Sequence, residues 1–301
     1  MTIAACYISP EGVVLGADST STYVVGQKGE QHYYNHAQKL FELSKEPEHG
    51  TLGAVTWGLG GLQISSHRTL LAEFSDDIEA NKPTSVADAA DRWAKYFWAA
   101  YSDPNCPIAP QVAQCKTLAA KKPYDPGAPA DPGIRTQAEE QELTNLQNTF
   151  TSGFCVAGYV PPDRKPAAYE IIFSPLLTGA PTPKSIARIS FWGAPNMIQR
   201  LIMGGDDDLK NSLMKSPKWT GTRAELDALM LQHALGHPII PIRDAIDFVH
   251  ACIYSTIKAY KFSSLSQICG GPIELGVITT DRPFRWVRHK EWDAAIATGG
   301  L

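Results

Sequence analysis

The chain has 301 residues, of which 44% are hydrophobic and 19% charged, so it can bury an ample core and is not disordered as a whole. Its net charge of -4 comes without a run of Lys and Arg, which argues against nucleic acid as a partner. No apolar stretch approaches the roughly 20 residues that span a bilayer, and the N-terminus lacks the layout of a signal peptide. We therefore expect a cytoplasmic protein without a membrane partner.

The first 60 residues predict strands and tight turns. Residues 3–8 and 13–17 flank a Pro-Glu-Gly turn and predict a β-hairpin, and further strands are predicted at 21–25, 39–43 and 51–57. Two helices follow, over 61–79 and 86–101, because apolar residues recur there at helical spacing.

Residues 103–135 contain seven prolines, which predicts a long loop with little regular structure. The remaining elements are, in chain order, a polar helix over 136–146, strands over 153–160, 169–173 and 187–192, helices after Pro195 and over 223–235 and 242–260, and strands over 273–279 and 284–288. This order favours an α+β protein in four layers, an αββα sandwich of two antiparallel sheets with helices outside both. We expect a single domain over residues 1–301, with insertions at about 103–150 and 205–240.

Thr2 follows the initiator Met1 and carries the first chemical signal. Its small side chain permits removal of Met1, which would leave a free α-amine beside a hydroxyl. Because the α-amine has a pKa near 8, it can accept the hydroxyl proton directly or through a water. On position alone Thr2 is more often just a common second residue.

The surrounding sequence favours a role for Thr2. Residues 2–19, TIAACYISPEGVVLGADS, resemble the start of mature proteasome β-subunits and of the bacterial proteasome-like peptidase, which are N-terminal nucleophile (Ntn) hydrolases. Asp18 falls at the family's own spacing from Thr2. The resemblance continues through residues 38–43 and 52–61, returns at 189–193 and at Cys269-Gly270-Gly271, and covers about half of the chain.

The resemblance implies a catalytic set of Thr2, Asp18 and Lys39. Thr2 would be the nucleophile. Lys39 would place a cation beside its hydroxyl, and Asp18 would keep Lys39 charged and oriented. Without the family register, an Asp–Lys pair is more often a surface ion pair of little consequence.

The Gly-rich turn over residues 57–61 is the candidate for the oxyanion hole. Backbone N–H groups at the start of a helix can stabilise a developing negative charge, and either Gly58 or Gly60 could be the donor. A plain strand-to-helix turn is the competing interpretation, and the partial GxG pattern is a weak nucleotide signal.

Three positions depart from the family. The family has a serine near the terminal amine, and this chain has Ala194 there. Near the C-terminus, Ser266 stands in place of the family's aspartate, and Cys269 stands in place of its serine. Ser266 and Cys269 are therefore weakened supporting residues. These changes predict slow or absent turnover.

Other signals are weaker. His233 and His237 lie four apart on a predicted helix, but no third zinc ligand is evident. The run Asp206-Asp207-Asp208 is interpreted as a solvated turn rather than a cation site. The six cysteines show no CxxC pattern, and the expected compartment favours free thiols over a Cys106–Cys115 disulfide. We expect no metal and no cofactor.

Three functions fit this pattern. The first is a threonine-type peptide or amide hydrolase that loses Met1 in processing and assembles into homo-oligomeric rings. The second is a catalytically silent ring subunit. The third is a small-molecule amidase on the same fold. The sequence does not indicate whether an unfoldase partner exists.

Overall fold

The computed structural model describes residues 2–25, 30–44, 47–127, 131–236 and 238–290. Met1 and His237 lie outside these residues. The strands are β1 (Ile3–Ser9), β2 (Gly12–Ala17), β3 (Ser21–Val25), β4 (Glu30–Tyr34), β5 (Leu40–Glu42), β6 (Thr51–Gly58), β7 (Ser152–Val160), β8 (Asp163–Phe173), β9 (Lys184–Ser185), β10 (Ile189–Gly193), β11 (Glu274–Thr279) and β12 (Arg282–Arg288). The α-helices are α1 (His67–Ala80), α2 (Val86–Tyr101), α3 (Ala109–Ala120), α4 (Gln137–Phe150), α5 (Asn196–Met203), α6 (Asp207–Met214), α7 (Arg223–Leu231) and α8 (Ile242–Phe262), with a short 3-10 turn at Pro47–His49.

The chain forms two compact units, Met1–Leu40 with Ala187–Leu301, and Phe41–Ile186. We call them the first and second unit. Both combine antiparallel strands with helices, so the α+β class is confirmed. The four-layer sandwich and the single domain with two insertions stay predictions.

The first unit contains a five-stranded sheet in the order β10-β1-β2-β11-β12 and the separate hairpin β3-β4. The predicted hairpin of β1 and β2 is confirmed, with Ala4 opposite Ala17. Helix α8 packs on the sheet through its apolar stripe. Val249, Ile253 and Ile257 of this stripe are buried with Ile3 and other residues of the sheet.

The second unit contains a five-stranded sheet in the order β5-β6-β7-β8-β9. Helices α1 and α2 pack on this sheet around an aromatic core that includes Phe74, Trp93, Phe97 and Phe154. Helix α2 begins at the predicted cap, where the Ser85 hydroxyl accepts a hydrogen bond from the Asp88 amide at 3.1 Å.

The proline-rich stretch is more ordered than predicted. The seven prolines fall before residue 111 or after residue 122, which leaves room for α3. Pro110 occupies the first turn of α3, where the missing N–H has no helical partner. Helices α3 and α4 bury a small cluster of Cys115, Leu118 and Leu143, so the prediction of a long irregular loop was wrong.

The first aspartate of the Asp206-Asp207-Asp208 run is buried and not solvated as predicted, whereas Asp207 and Asp208 are exposed in the first turn of α6. Asp206 is 1% exposed, and its carboxylate accepts hydrogen bonds from the amides of Asp208 and Leu209, both at 3.1 Å. It also forms an ion pair with Arg200. These contacts make Asp206 the N-cap of α6, which the sequence analysis missed.

Candidate active site

The beginning of β1 is fixed to Asp18. The amide of Ile3, which belongs to the peptide bond that follows Thr2, donates to Asp18 Oδ1 at 3.1 Å. In return, the amide of Asp18 donates to the Ile3 carbonyl at 3.1 Å. The β1–β2 pairing therefore fixes the backbone of Thr2, which is 3% exposed, in space relative to the Asp18 carboxylate.

Lys39 binds the same carboxylate oxygen. Its Nζ donates to Asp18 Oδ1 at 2.7 Å and to the Thr20 carbonyl at 2.5 Å. The side chains of Asp18 and Lys39 are 0% and 7% exposed, so this is a buried pair and not the surface pair of the competing interpretation. Because Oδ1 also accepts from the Ile3 amide, Lys39 Nζ lies close to the peptide bond that follows Thr2.

The other Asp18 oxygen accepts two backbone amides. Gly270 N donates to Oδ2 at 2.8 Å and Thr20 N at 3.3 Å. Four donors therefore hold a carboxylate that has no exposed surface, which removes most of the cost of burying its charge.

Burial shifts the proton equilibrium of Lys39. Removal of its ammonium from water lowers the pKa of Lys39 from its ordinary value, and the adjacent Asp18 carboxylate opposes this shift. A lysine with a lowered pKa exchanges a proton with a neighbouring hydroxyl more readily than an exposed lysine does. The pair can thus act as a proton relay or as a fixed cation.

Cys269 and Ser266 have different surroundings, although they lie in the same loop. Cys269 is buried, and burial is the main reason that its pKa is raised to about 12, with the Asp18 charge adding to the effect. Its thiol is therefore neutral near pH 7 and belongs to the surroundings of the Asp18–Lys39 pair. Ser266 is exposed.

Gly193 approaches the backbone of Thr2 very closely. It has a φ of +82°, and a Cβ atom at this position would lie 1.9 Å from the Thr2 carbonyl oxygen. Only glycine fits such a contact without displacing the chain. Ala194, which stands where the resembled family has a hydroxyl, is 2% exposed.

Gly58 and Gly60 are not at a helix start. Gly58 ends β6, and α1 begins only at His67 with Ser66 as its N-cap. The intervening residues form a turn closed by a bridge between Gly61 and Ser66. The predicted helix start at residue 61 was wrong, so the helix dipole does not strengthen these two glycine amides. Both glycines belong to the second unit, and their role in an oxyanion hole stays a prediction.

The weaker sequence signals yield no further site. Within the described ranges, no group of three or more His, Cys, Asp and Glu side chains could hold a metal ion. All six cysteines are buried free thiols. Among the helices of the described residues, none is long and apolar enough to cross a membrane.

Sequence reasoning missed the backbone partners of the Asp18–Lys39 pair. These are the Thr20 carbonyl and the Gly270 amide. It also missed Glu274, a fully buried acid in β11. A lone Glu between Ile273 and Leu275 in a predicted strand was the available signal, because buried acids are rare unless they are paired.

A scan against protein-family models finds no matching family, and a search of curated proteins finds no significant match.

Proposed function

We propose that this protein is a threonine-type amide hydrolase whose nucleophile is Thr2 after removal of Met1. The observation that carries the proposal is the buried Asp18–Lys39 pair, whose shared oxygen also binds the amide that follows Thr2. A buried ion pair is weak evidence for stability alone. Its contact with the backbone amide that follows a candidate nucleophile favours a chemical role.

The proposed reaction begins with attack of Thr2 Oγ1 on the carbonyl carbon of a peptide or acyl amide. The hydroxyl proton passes to the α-amine of Thr2, directly or through a water. When the C–N bond breaks, the leaving nitrogen takes this proton and the acyl group remains as an ester on Thr2. Water then attacks the ester, releases the carboxylic acid and returns a proton to Thr2 Oγ1.

Lys39 and Asp18 support this chemistry electrostatically. A cation beside Thr2 Oγ1 lowers the cost of forming an alkoxide-like oxygen, and a buried cation acts more strongly than one in water. Asp18 holds Lys39 in place through Oδ1 and is itself held by three backbone amides.

A silent subunit of a homo-oligomeric ring is the second candidate function. It is favoured by the buried methyl group of Ala194 at a position where the resembled family has a hydroxyl, and by the exposure of Ser266. A silent subunit would share the expected self-association into rings but would not react through Thr2. Light scattering on the native particle measures the association, and only chemistry at Thr2 separates the two candidates.

The test is covalent labelling of the full-length protein by a peptide epoxyketone, which requires a hydroxyl and an amine on the same residue. We expect one adduct per chain, on Thr2. Substitution of Lys39→Ala should slow labelling by about 100-fold or more, the usual size of a lost acid–base contribution. The proposal fails if wild-type protein that lacks Met1 forms no adduct.

The matched control is Lys95→Ala. Lys95 is 69% exposed and pairs with Asp91 on one face of α2, so its removal changes the net charge equally without touching the site. Labelling at the wild-type rate in this variant assigns the effect to Lys39. An equal loss of rate in both variants would contradict the role given to Lys39.

A further inference from the structure

A second buried acid lies next to the candidate active site. Glu274 is 0% exposed and stands opposite Ala17 in the β2–β11 pairing, one residue before Asp18. Its two carboxylate oxygens lie 2.9 Å from His289 Nδ1 and 3.2 Å from Lys290 Nζ. Lys290, which follows β12, thus compensates the charge of Glu274.

Lys290 connects this acid to the segments that carry Asp18 and Lys39. Its Nζ donates to Ser19 Oγ at 3.2 Å, and Ser19 follows Asp18 directly. It also donates to the carbonyls of Ala37 at 2.6 Å and His36 at 3.2 Å, just before Lys39. The Lys290 side chain is 11% exposed. One largely buried ammonium therefore joins both segments to Glu274.

The contacts of Lys290 bring a second buried ion pair close to the first. Asp18, Lys39, Glu274 and Lys290 form two buried pairs of opposite charge, and the field of Glu274 acts on Lys39 in the same direction as that of Asp18. Exposed ion pairs at the same positions would be worth little. In a buried setting their charges interact strongly.

We propose that Glu274 and Lys290 are positioning residues for Lys39. Lys290 links the Ser19 hydroxyl to the backbone carbonyls of His36 and Ala37. Glu274 offsets the charges of Lys39 and Lys290, so that Lys39 keeps its proton and its place beside Asp18. The inference rests on the proposed function in so far as Lys39 acts on Thr2. Neither residue is expected to touch the substrate.

The experiment is an NMR titration of Lys39 in the full chain labelled with carbon-13 in lysine. The Cε signal of Lys39 is assigned by its loss in Lys39→Met. The charged and titratable groups that act on Lys39 are Asp18, Cys269 and Glu274. Lys290 acts on it through Glu274, whose charge it offsets, so a change at either Glu274 or Lys290 should be visible in the titration of Lys39.

Two variants should move the titration in opposite directions. Glu274→Gln removes a negative charge and should lower the pKa of Lys39 by about 1, whereas Lys290→Met removes a competing positive charge and should raise it by about 0.5. Lys95→Met is the control and should leave the titration unchanged. If Glu274 and Lys290 had only a structural role, either substitution should loosen the site and let water enter. The pKa of Lys39 would then rise in both variants.

Unchanged titrations, or shifts in one direction, overturn the proposal. If Glu274→Gln does not fold, the double variant Glu274→Gln with Lys290→Met takes its place, because it leaves no unpaired buried charge. The proposal then predicts that the pKa of Lys39 falls by about 0.5, whereas a loosened site would raise it. Epoxyketone labelling is measured on the same samples. Opposite shifts without an adduct on Thr2 would support the positioning role and reject the proposed function.

Discussion

Asp18 is the residue on which the candidate site depends most. Its carboxylate accepts from Lys39 Nζ and from the amides of Ile3, Thr20 and Gly270. A neutral amide at this position would keep the shape but would leave a buried lysine without its counter-charge. Removal of one partner of a buried pair is among the costliest single substitutions.

We predict that Asp18→Asn lowers the free energy of unfolding by about 3 to 5 kcal/mol. The double variant Asp18→Asn with Lys39→Met should recover part of this loss, because no unpaired buried charge remains. Urea unfolding of both variants and of wild type measures the effect. A loss below about 1 kcal/mol for Asp18→Asn would mean that the pair behaves as an exposed one.

His67 is a second buried titratable residue, in the second unit. Its ring packs against Phe97 and Phe154, with centroids 5.6 and 4.9 Å away. Nδ1 lies 3.3 Å from Thr56 Oγ1, and Nε2 has no hydrogen-bond partner among the described residues. Burial lowers the pKa of His67 from 6.5 to about 4.

This shift predicts a pH dependence of stability. Between pH 6.5 and 4 the unfolded chain binds a proton on His67 that the folded chain does not, so stability falls as the pH falls through this window. The expected loss is about 3 kcal/mol, fully regained above pH 6.5. Urea midpoints at several pH values should show it, and His67→Phe should remove this part of the slope. An identical slope in the variant would contradict the assignment.

Sequence reasoning paired Asp18 and Lys39 correctly but did not find what surrounds them. Their pairing was predictable from the positions that the resemblance gives to both residues and from the hairpin of β1 and β2. The Thr20 carbonyl and Gly270 amide carry no side-chain signal. They meet the pair only because a loop 252 residues from Asp18 folds back onto it, and sequence spacing does not encode such contacts.

At the level of elements, the pairing of β1 with β10 depends on Gly193. Its positive φ and the missing side chain allow the end of β10 to lie against the Thr2 carbonyl. An alanine would combine an unfavourable backbone conformation with a clash against main-chain atoms. The nearest atoms cannot rotate away, because they belong to the backbone of Thr2.

We predict that Gly193→Ala destabilises the protein by about 2 kcal/mol or more and slows labelling of Thr2. Gly236→Ala is the control, since a Cβ there would lie within 4 Å of no atom of the described residues other than its chain neighbours, and the φ of Gly236 is not in the left-handed region. Thermal unfolding and labelling rates are compared for both variants. Equal behaviour of the two would remove Gly193 from the account.

Most strands and the longest helices were predictable because their apolar periodicity is strong. The predicted strand 51–57 corresponds to β6, and the predicted helix 242–260 corresponds to α8. Helices α3 and α6 were missed for local reasons. Prolines mark the ends of α3 rather than its interior, and Asp206 acts as a cap although it resembles part of a solvated acidic run.

At the level of the whole molecule, the two units have separate hydrophobic cores. The core of the first unit lies between its sheet and α8, and that of the second unit between its sheet and the α1–α2 pair. Composition predicted enough apolar residues for such cores but not their division. Thr2, Asp18 and Lys39, the proposed catalytic set, all belong to the first unit.

The central claim is that Thr2 becomes an N-terminal nucleophile. The most direct measurement is the intact mass and N-terminal peptide map of the purified protein before and after epoxyketone treatment. The proposed function predicts a chain that begins at Thr2 and gains the mass of one inhibitor on that residue. Retention of Met1 with no adduct on Thr2 would contradict it.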